Sequence, residues 1–282
     1  MLIMKRILSS ILLLLAVQGI AQSKKPGQAL LWRISGNGLA KPSYLYGTIH
    51  MICENDFYLS GSLKAAVEEV DGLVFELNLA DSVLNKKIQR LMYSPVSLRK
   101  RLSPENYHLL DSLMQVKASV PLQQFEYMNL MAISSFLSSR MMACGQPKSY
   151  EASLLALARA KHKTIAGLES PEEQLVFFNK AITDSVLISQ MLDTEKSEIL
   201  LQKMVDLYKQ EDIEALNSIV DDQNAKKWML DVRNANWIKV MPGLMKKEST
   251  LFVVGAGHLG AEMGLIKSLS KLGYLLEPVK RD

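Results

Sequence analysis

Of the four histidines in this 282-residue chain, two share a setting. His50 and His258 each follow an apolar stretch and then Gly-x-x, with Gly47 and Gly255 three places before them. His108 and His162 lack that glycine; the first lies in a polar helical stretch and the second between Lys161 and Lys163, so both read as surface residues. With only 15 glycines in the chain, the repetition points to a shared role. A glycine at a strand's end lets the backbone turn sharply without a Cβ clash, which projects the next side chains over the sheet edge. Ligands of open α/β sheets collect beyond the strand ends, so two such histidines on neighbouring strands could face one cleft from opposite ends of the chain. The competing reading is a pair of core histidines satisfied by backbone hydrogen bonds.

Glu76 is the third residue of interest. It follows Leu73-Val74-Phe75, a short apolar strand in which a charge is costly without a partner. A metal, a histidine or an arginine would compensate it; a place on the strand's solvent face would remove the need. Two imidazoles and one carboxylate with open positions suit a divalent transition ion, which lowers the pKa of bound water toward neutrality.

Other routes to chemistry are less well supported. Gly255-Ala256-Gly257-His258-Leu259-Gly260 fits the dinucleotide pattern G-x-G-x-x-G, with Glu277 downstream, but the fold that uses it needs more strands after that point. No G-x-S-x-G elbow and no H-E-x-x-H helix occurs, so the usual serine-hydrolase and zincin signatures are missing.

The elements that must position these residues are legible in outline. Leu31-Trp32-Arg33-Ile34, a Gly36-Asn37-Gly38 turn and Tyr44-Leu45-Tyr46 predict a β-hairpin. Leu63 to Val70 has helical spacing, and Leu73 to Leu77 reads as a strand. From about Asp81 to Leu244 the pattern is mainly helical. Ser103-Pro104 and Ser170-Pro171 mark helix starts, the latter with a capping box to Glu173. Phe125 to Ala143 is apolar nearly all round, and its Met128, Met131, Met141 and Met142 read as core. Thr250 to Val254 predicts a strand, a helix follows as far as Leu272, Gly273 caps it, and Tyr274 to Val279 makes a last strand. The expected fold is mixed α/β (α+β): a small central mixed sheet built from both ends of the chain, with a large helical insertion.

Lys5 and Arg6 precede a largely apolar run from Ile7 to Val17 and the small-residue stretch Gly19-Ile20-Ala21, the pattern of a signal peptide over residues 1–21. A single domain over 22–282 is then expected, exported to the periplasm or secreted, with no stable membrane insertion after cleavage. Losing Lys5 and Arg6 lowers the formal net charge from +4 to +2, which gives a nucleic-acid partner no support. The two cysteines, Cys53 and Cys144, would meet an oxidising compartment. Cys53 lies just after His50 and Cys144 just before Glu151, so a disulfide tying those loops is expected, with two buried free thiols as the alternative.

Taken together, Leu31-Trp32-Arg33-Ile34, Lys41-Pro42-Ser43-Tyr44-Leu45-Tyr46-Gly47-Thr48-Ile49-His50, Phe75-Glu76 and Val254-Gly255-Ala256-Gly257-His258-Leu259 resemble the TraB/GumN family, which includes the Tiki metalloproteases. The resemblance runs from about Leu31 to Val279. It implies a metal-dependent hydrolase acting on a peptide or small-molecule substrate, with His50, Glu76 and His258 at a divalent ion, manganese or cobalt rather than zinc. It also marks Glu151, Glu169 and Arg233-Asn234 as further site residues, either glutamate serving as general base and Arg233 binding a substrate carboxylate or an oxyanion, with plain exposure on a polar helix as the equal alternative for Arg233. The related erythromycin-esterase type implies a metal-independent version in which His50 or His258 is the general base. A non-catalytic protein that sequesters peptides is the alternative of another class.

Overall fold

The computed structural model describes residues 28–142, 144 and 147–282. The signal-peptide segment, residues 1–21, lies outside the described residues. Among the described residues no helix is long and apolar enough to cross a membrane.

Six strands form one mixed sheet: β1 Leu31–Gly36, β2 Ser43–Thr48, β3 Gly72–Phe75, β4 Thr164–Gly167, β5 Thr250–Gly255 and β6 Tyr274–Val279. Their order across the sheet is β4-β3-β5-β2-β1-β6. The run β4-β3-β5-β2 is parallel, and β1 and β6 are added antiparallel at one edge. β5 is central, and Thr250 to Val254 are all buried. That is the continuous apolar pattern of a parallel strand covered on both faces.

The expected mixed α/β fold is therefore observed, with strands from both ends of the chain around a helical insertion. One strand was not foreseen: β4 comes from inside the insertion and pairs with β3, Gly72 opposite Thr164 and Phe75 opposite Gly167. Thr164 and Ile165 are β-branched, but with Ala166 and Gly167 after them the run is too short to announce a strand, and pairing with β3 makes it one. Strand β3 also ends at Phe75, which puts Glu76 just beyond the sheet rather than in it. The last helix spans only Leu265–Lys271, because Ala256–His258 form a 3-10 turn first.

The predicted helix starts hold. Ser103 caps Pro104–Ala118, and Ser170 with Glu173 forms a reciprocal capping box on Pro171–Ala181. Capping of this kind contributes about 1 kcal/mol per helix. The apolar 125–143 segment folds as helix Leu130–Met141, whose Leu130, Ile133 and Leu137 enter a second apolar cluster, with Leu110 and Ile188, apart from the cluster around the sheet. Met128 packs against that second cluster, whereas Met141 and Met142 are half-buried on the wall of a cleft.

Candidate functional site

The site follows from strand order. Strands β3, β5 and β2 are adjacent and parallel, with Phe75 beside Val253 and Thr48 beside Gly255. Their carboxyl ends thus open on one edge, and the residues just beyond, Glu76, Ala256 to His258 and Ile49-His50, emerge together. Ligand sites of open parallel sheets form at such an edge.

The glycines serve close approach rather than a sharp turn. Gly255 has φ −56°, a value any residue adopts. A Cβ on Gly255 would stand 3.5 Å from Glu76 Oε1, 3.6 Å from His258 Cδ2 and 4.0 Å from His50 Nε2, so the three expected residues surround this one position. A Cβ on Gly47 would meet Ala256 Cα and Leu259 Cδ2 at 3.0 Å. The first Gly-x-x-His motif therefore packs directly on the second.

His50 and Glu151 form the outer layer. His50 Nδ1 lies 2.9 Å from Glu151 Oε1, and its side chain is 70% exposed. Because an ionised carboxylate only accepts, Nδ1 carries the proton and Nε2 is left as the lone-pair nitrogen of the neutral ring. Glu151 also accepts from Thr48 Oγ1 at 2.6 Å and from Ser149 Oγ at 2.9 Å, which fixes both its oxygens. The bond to Glu151 raises the His50 pKa to about 9 against the effect of burial, while solvent on the open side of the ring screens part of that rise. Burial pushes Glu151 upward, but its bonds to His50 and Thr48 outweigh this and its pKa is lowered.

Two ties hold this pair together. Ile52 and Lys148 exchange backbone hydrogen bonds of 3.0 and 2.7 Å, and Cys53 and Cys144 are joined as a disulfide with Cα atoms 5.7 Å apart. The expected pairing of the cysteines is borne out.

The inner layer is organised by Arg233, expected as a residue of a polar helix but 4% exposed. It enters from helix Val232–Lys247, directly after a π-helical turn at Lys227–Asp231. Its Nη2 donates to Glu76 Oε2 at 2.5 Å and to Glu169 Oε1 at 2.6 Å. Nε donates to Glu169, and Nη1 to Met229 O and His258 Nε2, both at 3.1 Å. All five N–H groups are thereby used. Trp237, one turn on, stacks under the guanidinium at 4.7 Å and donates to Glu169 Oε2. Gln174 bridges Glu76 and Glu169.

His258 is held in one tautomer. Asn234 Nδ2 donates to His258 O and Met263 O, which turns Asn234 Oδ1 toward His258 Nδ1 at 2.7 Å. Nδ1 must therefore carry the proton and Nε2 must accept from Arg233. Burial first, and then the Arg233 charge, lower the His258 pKa to about 3, so the ring is neutral. Glu76 accepts from Gly255 N at 2.8 Å; burial works against its charge, but Arg233, with His50 and the Gly255 N–H, prevails and its pKa falls to about 2. Glu169 is raised by burial despite Arg233, since one guanidinium serves two carboxylates.

The expected metal set is thus gathered but not disposed as ligands. Arg233 bonds both His258 Nε2 and Glu76 Oε2, and among the described residues no group of three or more His, Cys, Asp or Glu could hold a metal ion. As arranged, the residues do not fit a metal, and the fixed cation beside Glu76 and His258 is a guanidinium. Glu169 is enclosed by Arg233, Trp237 and Gln174, while Glu151 stands beside the exposed histidine. Thr48, Gln174 and Trp237 were not singled out in the sequence. Trp237 was within reach, four residues after Arg233 and so on the same helix face.

The sequence profile of the TraB/PrgY/gumN family matches residues 30–278. No curated protein and no solved structure shows a match to the chain.

Proposed function

Since the chain belongs to the TraB/PrgY/gumN family, we propose that it is an exported hydrolase, acting on peptides in the periplasm or outside the cell, in which His50 activates water. The observation that carries this reading is the His50–Glu151 pair, with an exposed imidazole whose Nδ1 is anchored on a fixed carboxylate. Water attacks the scissile carbonyl as its proton passes to His50 Nε2; the same proton then goes to the leaving amine as the C–N bond breaks. Glu151 holds the tautomer and stabilises the imidazolium, the part a carboxylate plays behind a catalytic histidine. Glu76, Arg233, Glu169 and His258 form a rigid charged floor that sets the position of Gly255 and the field at His50. The disulfide and the charge pattern of the N-terminal segment both suit an oxidising compartment outside the cytoplasm.

A second reading keeps the divalent ion, manganese or cobalt. It is favoured by the two carboxylates, Glu76 and Glu169, that share one guanidinium, with Glu151 a third nearby beside His50. His50, Glu76 and His258 would hold the ion after Arg233 withdrew from His258 Nε2.

Both readings meet one experiment: hydrolysis of a mixed peptide library by the mature protein, with and without chelator and added manganese, beside His50→Ala and Glu151→Gln. Loss of about 10²- to 10⁴-fold in both variants is expected for a general-base pair. Full activity in His50→Ala would end the proposal, and activity that vanishes with chelator and returns with manganese would move it to the second reading.

A further inference from the structure

His50 also lines a cleft of about 630 Å³ that the hydrolytic residues do not account for. Its size falls within the roughly 300–1,000 Å³ usual for ligand sites. Three separate segments build its walls: the loop after β2, the end of helix Leu130–Met141, and helix Thr194–Gln210. Each contributes methionine, namely Met51, Met141 with Met142, and Met204, with Leu201 and Val205 beside them. The four methionines are all half-buried and line the cleft. Unbranched and polarisable side chains of this kind adapt to apolar groups of varied shape.

The charges at the cleft are already matched. Asp56 is paired with Lys209, and Glu198 with Lys117 at 2.7 Å. No Lys or Arg is among the described lining residues, and the one cationic side chain there, His50, is already paired with Glu151, so an anionic ligand finds no unmatched counter-ion. The remaining polar groups are mainly the hydroxyls of Ser134, Ser135 and Ser138 along one wall.

We propose that this cleft receives an uncharged, flexible aliphatic chain attached to the acyl side of the carbonyl that His50 addresses, and that Met204 and Met141 select for its length. The proposal rests on the reading of His50 as the base. A chain lying on the methionines brings its carbonyl end to His50, and an acyl group too short to reach them loses that purchase.

The test has two arms. In the first, binding of the neutral fluorescent probe N-phenyl-1-naphthylamine is titrated on the mature protein, on Met204→Leu and on Met204→Lys, with circular dichroism confirming that each is folded. Wild type and Met204→Leu should bind alike, and Met204→Lys at least tenfold more weakly, because an ammonium group cannot be desolvated among thioethers. Equal binding by Met204→Lys, or none by the wild type, overturns the proposal. In the second arm, kcat/KM is measured on acetyl, butyryl, hexanoyl and octanoyl p-nitroanilides. A rise of at least tenfold from acetyl to octanoyl in the wild type, flattened in Met204→Lys, supports it. A flat profile in the wild type overturns it while leaving the hydrolase reading intact. Absence of all hydrolysis beside the expected probe binding overturns the hydrolase reading instead and keeps the cleft as an aliphatic-chain site.

Discussion

Replacing Arg233 by methionine keeps much of its volume and removes the one positive group on which Glu76 and Glu169 converge. Side-chain exposures of 11% and 4% leave those carboxylates little access to water. Each can stay ionised and unpaired, at a cost of several kcal/mol, or take up a proton. From an ordinary carboxyl value of 4.5, protonation at about pH 7.5 costs roughly 4 kcal/mol, at about 1.4 kcal/mol per pH unit. The cheaper route sets the loss, so destabilisation of about 3–5 kcal/mol is expected, the range found when one partner of a buried pair is removed. For a protein of this size that lowers Tm by roughly 6–20 °C. The sign with pH follows. In the wild type the depressed Glu76 value contributes stability above about 4.5 that is lost as pH falls toward 2; in Arg233→Met an orphaned carboxylate is least costly at low pH. The deficit should therefore shrink by about 3 kcal/mol between about pH 7.5 and pH 5. Urea unfolding followed by tryptophan fluorescence, with Trp237 under the guanidinium as reporter, measures it at both pH values. Adding Glu169→Gln to Arg233→Met should restore about 1–3 kcal/mol by removing one orphan charge. A loss below about 1 kcal/mol, or one that does not narrow at pH 5, would refute this account of Arg233.

Three further outcomes are expected. With His50 as the base, kcat/KM should rise tenfold per pH unit and level off near pH 9, or lower to the extent that solvent screens Glu151; Glu151→Gln should move the plateau to lower pH as well as reduce the rate. Gly47→Ala forces a Cβ to 3.0 Å from Ala256 and Leu259, and should cost about 1–3 kcal/mol in denaturant midpoint measurements, whereas Gly255→Ala has contacts of 3.5 Å or more and should lose activity before stability. Cys53→Ser with Cys144→Ser opens a loop of 91 residues and should cost about 2–5 kcal/mol; KM should rise more than kcat falls if the backbone bridge of Ile52 and Lys148 keeps the histidine pair in place, which steady-state kinetics on the folded variant will show.

Much of the architecture was readable because local chemistry announces it. Gly47-x-x-His50 and Gly255-x-x-His258 stood out by pattern, and strands β2 and β5 could be placed from their apolar runs. Ser103-Pro104 and Ser170-Pro171 specify helix starts by themselves. What escaped depends on distant partners. β4 is a strand only beside β3, and Arg233 looks like any polar helix residue until the 3-10 turn at Ala256–His258 and the capping loop at Glu169 close over it. The reason for the glycines was also invisible from spacing alone: Gly47 is required by a contact with Ala256, a residue from the other end of the chain. Likewise Met141 and Met142 share a helical period with core methionines, and only the position of helix Thr194–Gln210 decides that they face a cleft.

The position of β5 has a consequence for how the protein comes into being. This strand is synthesised after β1 to β4 and the whole helical insertion, yet it lies between β3 and β2 and joins the two halves of the sheet. Until residues from Thr250 onward are available, β3 with β4 and β2 with β1 each present an unpaired edge, and no earlier fragment contains His258 or Gly255. Assembly that depends on contacts so far apart in sequence is slow. A nascent chain therefore stays open and without its site until β5 has been made, so that closing the sheet and completing the Glu76–Arg233–His258 cluster are one event.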